Sequence, residues 1–157
     1  MASAIAVLVA VIFGVLQIRQ MRKTRALFAL TELVRAMQTP EFTRSVRLVL
    51  TLPEGAAPEL VGGDATIVPA VLTVSHVYES LGVLVFHRIV HIHLVDDLMG
   101  GYVRESWRRL KPYVESRRRE LGVYYGEWMQ WLAERLQEHP SDGKQEGAHI
   151  AHRRWQP

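Results

Sequence analysis

Charge vanishes and returns along the first forty residues in a way that predicts two kinds of helix. From Ala2 to Ile18 the chain reads ASAIAVLVAVIFGVLQI, with no ionisable side chain. A helix over that run spans about 25 Å, the short limit for the hydrocarbon core of a bilayer. Between Gln17 and Gln38 there is no Gly or Pro, and Leu27, Leu30, Val34 and Met37 recur at helical spacing with Leu33 beside them. That spacing predicts an amphipathic stalk continuing the first helix, so that Ala2 to Gln38 forms one rod of about 55 Å. The stripe on the stalk must be buried, either against the chain's own domain or against another copy.

Beyond the stalk the periodicity predicts a small helical bundle. Thr39-Pro40-Glu41 has the order of a helix start: a capping hydroxyl, a first-turn proline and an early acid. Phe42, Val46, Val49 and Leu50 supply the buried stripe, and Pro53 ends the helix. Glu54 to Ala65, rich in Gly, Pro and Ala, reads as a loop. The next stretch, Val68 to about Ile89, is apolar nearly all round and too long for one strand, so it reads as the central buried helix. Its small residues Ser75 and Gly82 leave room for a neighbouring helix to approach closely. A break is expected near Val90 to Leu94, with Gly100 and Gly101 punctuating the chain. Gly101 to about Leu121 forms the next helix on Val103, Trp107, Leu110, Val114 and Leu121, and Pro112 within it should kink or split it. After Gly122 a last helix, roughly Tyr125 to Glu138, carries Trp128, Leu132 and Leu136 with Met129 and Trp131 alongside; both tryptophans read as core anchors. Residues 140–157 are polar and aperiodic, which predicts a flexible tail. The fold class is therefore all-α: a single N-terminal transmembrane helix continuing into a stalk, then a bundle of about four helices. The expected division is 1–25 for the anchor and basic flank, 26–139 for the helical domain and 140–157 for the tail.

Charge fixes the orientation this arrangement predicts. Arg19, Arg22, Lys23 and Arg25 follow the apolar run, and Met1 to Ile5 holds no Lys or Arg. The positive-inside rule then places the N-terminus outside and the domain in the cytoplasm, with those four cations beside lipid headgroups. A signal peptide is the alternative, but it requires a basic start and a small-x-small cleavage site. With no cysteine in the chain, disulfides, thiolate zinc sites and a cysteine nucleophile are excluded. A net charge of +3 is too mild to imply nucleic acid, and no recognition module accompanies it.

Candidate chemistry concentrates between Glu79 and Asp97. Glu79 sits mid-way along the central apolar helix, where a carboxylate must be paired, hydrogen-bonded or protonated. The reading favoured is an ion pair with an arginine of the later basic helix, Arg104 or Arg108, or a place at the rim of the core; the alternative is a general base or a ligand. That later helix also carries Arg109, Lys111, Arg117, Arg118 and Arg119, either as a solvated face or as a surface for anionic headgroups. His87 and His91 are four apart, and His93, Asp96 and Asp97 follow. Without an HExxH motif or a distant second ligand pair, a structural or solvent-facing role is expected for them, with no metal and no cofactor.

The runs Tyr78-Glu79-x-Leu81-Gly82-x-Leu84-Val85, Leu94-Val95-Asp96-Asp97-Leu98 and Trp107-x-x-Leu110-x-Pro112-Tyr113, in that order, resemble domain-of-unknown-function family 4760, an uncharacterised bacterial family. The resemblance covers about Leu27 to Leu136 and extends to the Pro40 to Phe42 helix start and the late Trp128 to Leu132 helix. It implies a membrane-anchored, all-helical domain in the bacterial inner membrane and implies no activity.

The function expected is a single-pass, non-enzymatic helical protein: a scaffold, regulator or accessory subunit of a membrane complex. Its partners would be the bilayer and either a membrane protein or a second copy, met through Leu27, Leu30, Val34 and Met37. The rival is a membrane-anchored enzyme, with hydrolysis as one option, built on Glu79 and the nearby histidines.

Overall fold

Thr39 opens the folded core. The computed structural model describes residues 34–138 without a break, with single positions at 13, 14, 17, 18, 20, 21, 24, 28, 31, 32, 150, 153, 154 and 156. The expected anchor, basic flank and tail lie largely outside the described residues. A helical turn at 34–37 ends at Gln38, and Thr39 takes up the break with extended backbone (φ −68°, ψ 140°). Its hydroxyl donates to the Ala36 carbonyl and accepts from the Phe42 amide. Helix α1, Pro40–Thr51, follows with the proline in its first turn, as the sequence predicts.

Among the described residues the chain is all-helical. The segment expected to be a loop holds a short helix, α2 (Pro58–Gly62). Its proline sets the first turn, and Val61 turns into the core. Asp64 then starts the central helix, α3 (Ile67–Phe86), by accepting from the Thr66 and Ile67 amides at 2.7 and 3.1 Å. Those two amides hold the Asp64 carboxyl below its usual range. α3 ends in a Schellman arrangement: the Ile89 amide donates to the Leu84 carbonyl and the Arg88 amide to that of Val85. Arg88 takes the left-handed position (φ 56°) usually given to glycine.

α3 is the one described helix long and apolar enough to cross a membrane. Here it is the core element, with α1 against one side and α6 (Glu127–Glu138) against another. It is not covered all round, because Leu72 and Phe86 remain exposed. Val71, Val74, Tyr78, Leu81 and Val85 form its buried side, and Phe42 meets Tyr78 edge to face.

The break expected near Val90 to Leu94 falls at His87–His91, and Gly100 and Gly101 do not interrupt the chain. α4 (Ile92–Val95) passes through a π-turn, Asp96–Gly100, directly into α5 (Gly101–Leu121), and both glycines are helical. Pro112 does not split α5. Lacking an N–H, it leaves the Arg108 carbonyl without its helical donor. The Gly55 amide, from the loop after α1, fills that place at 3.0 Å. Arg109 donates to the Leu52 carbonyl of the same loop at 3.0 Å, so the return from α1 is fastened to α5 twice.

Close approach sets the α3–α6 contact. A β-carbon on Gly82 would lie 2.6 Å from the Trp128 carbonyl oxygen and 2.9 Å from the Trp128 β-carbon. Gly82→Ala should therefore cost about 1–3 kcal/mol by forcing the two helices apart. Gly101 is helical with open space at its β-carbon. Gly101→Ala should raise stability by about 0.5–1 kcal/mol. Urea denaturation followed by circular dichroism distinguishes the two outcomes.

Candidate functional site

Of the polar side chains that the sequence marks for chemistry, Glu79 lies at one end of α6 and the Asp96–Arg104 pair at the other. Ser75, Glu79 and Gly82, at spacings of four and three along α3, face this helix. The Ser75 hydroxyl lies 3.8 Å from the Met129 sulfur, and Glu79 Oε1 accepts from the Met129 amide at 2.8 Å. Met129 is the third residue of α6, so its amide is one of the helix-start donors with no intrahelical acceptor. Glu79 is thus an N-terminal cap supplied by another helix. Burial pushes its carboxyl above the usual range, opposed by the Met129 amide. The Glu127 charge adds to the rise, while the Trp128 amide and Arg118 act against it.

The expected ion pair between Glu79 and the basic helix is not formed. Arg104 turns instead to Asp96, with its Nη1 2.6 Å from Oδ1 and the Asp96 side chain 2% exposed. The same nitrogen donates to the Leu136 carbonyl at 3.2 Å, in the last turn of α6. Arg108 pairs with Glu105 on the surface of α5. The physical reason lies in the π-turn, which sets Asp96 against Arg104 across Gly100. A β-carbon on Gly100 would fall 1.9 Å from Asp96 Oδ1, so glycine is what leaves room for this pair. Nothing in local spacing reveals a π-turn, so the sequence alone does not mark Asp96 as a buried partner for Arg104.

A third side chain fixes the connection into α6. Arg118 donates to the Tyr125 carbonyl at 2.7 Å, the Gly126 carbonyl at 3.0 Å and the Gln130 side-chain oxygen. Of the remaining basic residues, Arg109, Lys111 and Arg117 each pair with a glutamate on their own helix. In the core between α3 and α5, burial pushes the Tyr78 phenol up to about 12, with the Ser106 hydroxyl acting the other way.

His87, His91 and His93 are exposed, in keeping with a structural or solvent-facing role, whereas the tryptophans are placed differently from the expectation. His87 follows the last residue of α3, some eight residues beyond Glu79 and so about 12 Å along the axis. His91 caps α4 by accepting from the His93 amide, and the two rings stack at 5.0 Å. Among the described residues no group of three ligand side chains is gathered for a metal. Trp128 and Trp131 are half-buried rather than core, and form an aromatic cluster with exposed Phe86. The core positions of α6 are Met129, Leu132, Ala133 and Leu136. Of the stalk residues, Val34 is half-buried and Met37 packs against the domain core. Leu27, Leu30, Arg19, Arg22, Lys23 and Arg25 lie outside the described residues. An open groove of about 390 Å³ lies between Met37, Phe42, Val46 and Tyr102, and neither Glu79 nor a histidine lines it.

The family model for the domain of unknown function DUF4760 matches residues 3–136. The chain belongs to the DUF4760 family. No curated protein and no solved structure matches it. The DUF4760 match runs from the N-terminal apolar stretch to Leu136, the residue whose carbonyl Arg104 holds. It therefore takes in Glu79, Gly82, Asp96, Gly100 and Arg104 together.

The geometry yields opposite expectations for the two carboxylates. A glutamine can still accept from Met129, and it removes the cost of burying charge, so Glu79→Gln should leave stability at pH 7 unchanged or raised. Glu79→Ala leaves the amide unmet and should cost about 1 kcal/mol. Because the folded-state pKa of Glu79 is raised, its protonated form binds the fold better. Relative to Glu79→Gln, the wild type should be most stable at acid pH and lose ground as pH rises through that raised pKa. Equilibrium unfolding between pH 4 and pH 8, within the range of about 4–9 that raised carboxyls span, reads this.

The Asp96 pair should behave oppositely. Arg104→Met leaves Asp96 buried without its cation and should cost about 3 kcal/mol. Arg108→Met, at an exposed pair, should cost less than about 1 kcal/mol. Thermal melts of the two variants side by side test the ranking.

Proposed function

We propose that the protein is a single-pass membrane protein whose helical domain serves as a scaffold, regulator or accessory subunit in a membrane complex. The observation that carries this reading is the use of the domain's polar side chains. Glu79, Arg104 and Arg118 are all engaged in holding α6 and its turn. The enzyme alternative loses its proposed base to a helix cap. The apolar stretch over 2–18 supports the anchor, and the family match beginning at residue 3 supports treating that stretch as part of the domain's own unit. On this reading the N-terminus lies outside the bacterial inner membrane and the domain lies in the cytoplasm. Arg19, Arg22, Lys23 and Arg25 lie beside headgroups, as the charge order along the sequence implies.

The stalk stripe is the proposed contact with a membrane partner or second copy. Met37 packs against the domain core, so Leu27, Leu30 and the exposed part of Val34 are the proposed contact with another chain. Each would contribute about 1.5–3 kcal/mol if fully buried, and confinement to a membrane raises the effective concentration of partners.

Protease added to intact spheroplasts should leave the domain uncut, and digestion of it reverses the topology. In the same membranes, Leu30→Glu with Val34→Glu should abolish crosslinked oligomers or partner adducts while the domain stays folded. Loss of folding instead assigns the stalk to the domain's own core.

A further inference from the structure

The turn between α5 and α6 holds large apolar side chains out in water on a rigid base. Leu121, Val123 and Tyr124 are 58%, 72% and 76% exposed. Gly122 (φ 101°) and Gly126 (φ 69°) supply backbone conformations that other residues rarely adopt. Arg118 bonds the Tyr125 and Gly126 carbonyls from beneath, and the Tyr125 amide closes onto the Gly122 carbonyl at 3.2 Å. Gly126 is packed so tightly that a β-carbon there would lie 2.6 Å from Val114 Cγ1. The exposure is therefore built into the fold, not a consequence of slack.

Area and charge together indicate what covers this tip. Three side chains expose a few hundred Å² at most, well short of the roughly 800 Å² per partner of a stable protein interface. A bilayer surface needs no matched pocket, and a small apolar wedge adds to an existing anchor. Tyr124 suits the headgroup level, where an aromatic body and a polar tip are both satisfied. Arg119, exposed beside the tip, makes no ion pair among the described residues, and Arg117 stands next to it in a part-exposed pair with Glu120. From Arg117 to Gly126 there are three arginines and one glutamate. We propose that the Leu121–Tyr124 tip inserts into the interface of an anionic bilayer, with Arg119 on a headgroup phosphate. The proposal rests on the reading of the chain as membrane-anchored. Fifteen residues lie between Ile18 and Val34, about 24 Å as the expected helical stalk, so the domain stays close to the surface that the anchor enters.

The chain has no cysteine, so Val123→Cys offers a single site for an environment-sensitive fluorophore. Arg88→Cys, just beyond the end of α3, is the reference site. Full-length protein is reconstituted in phosphatidylcholine vesicles with and without phosphatidylglycerol, each carrying acyl-brominated lipid. In the anionic vesicles the label at 123 should shift to the blue and be quenched, while the label at 88 stays wet. Arg119→Glu should reverse the shift. A label at 123 as wet as that at 88 overturns the proposal. So does shielding seen in native membranes but not in vesicles, which would mark a protein partner instead. A carbonate wash of the same vesicles separates the two levels of inference. Protein that stays bound with a wet label leaves the anchor standing and removes only the tip, whereas protein that washes off removes both.

Discussion

The last helix is held at its two ends by side chains of opposite charge from elsewhere in the fold, and the rest of the domain depends on that clamp. Twelve residues of helix are marginal alone, because nucleation is costly and each end leaves backbone groups unpaired. Glu79 meets the amide end and Arg104 the carbonyl end. Both charges have the sign that the helix dipole favours, a contribution of about 0.3–1 kcal/mol each. Between the two, Gly82 lets the backbones approach until Trp128 lies against α3, and Met129, Leu132, Ala133 and Leu136 complete the core.

Two further features would otherwise be liabilities. Asp96 is a nearly buried carboxylate, and burying it without a partner would cost several kcal/mol. The π-turn brings it to Arg104, and Gly100 keeps the path between them clear. Pro112 removes a helical hydrogen bond, and the Gly55 amide replaces it, so the missing donor becomes a fastening for the loop after α1. At Pro112 an irregularity within one helix is satisfied by a group from a different part of the chain.

This use of polar groups bears on function. An ionisable side chain in a core is a candidate for chemistry until its partners are known. Here Glu79 meets an amide, Arg104 a carboxylate and a carbonyl, and Arg118 two carbonyls and an amide side chain. What the domain leaves open includes apolar surface: the Phe86–Trp128–Trp131 cluster, the groove beside Met37 and the rigid tip after α5. Such surfaces suit contact with other chains and with lipid.

Local chemistry determined a good deal of this protein. Thr39-Pro40 as a helix start, the span of α5, the all-helical class, the family and the need for small residues at Ser75 and Gly82 were legible because each depends on residues within a turn or two. The helix within Glu54 to Ala65 and the cap at Asp64 were also local, but the Gly and Pro content there masked the Pro58 and Asp64-x-Thr66 signals. The partner of Glu79 was not legible, because an amide 50 residues away has no mark in the sequence. Nor were the helical Gly100 and Gly101, since a glycine that makes room for an ion pair looks the same as one that breaks a helix. Periodicity identifies which side chains need burial or pairing. Only the packing of helices distant in sequence decides which group each one meets.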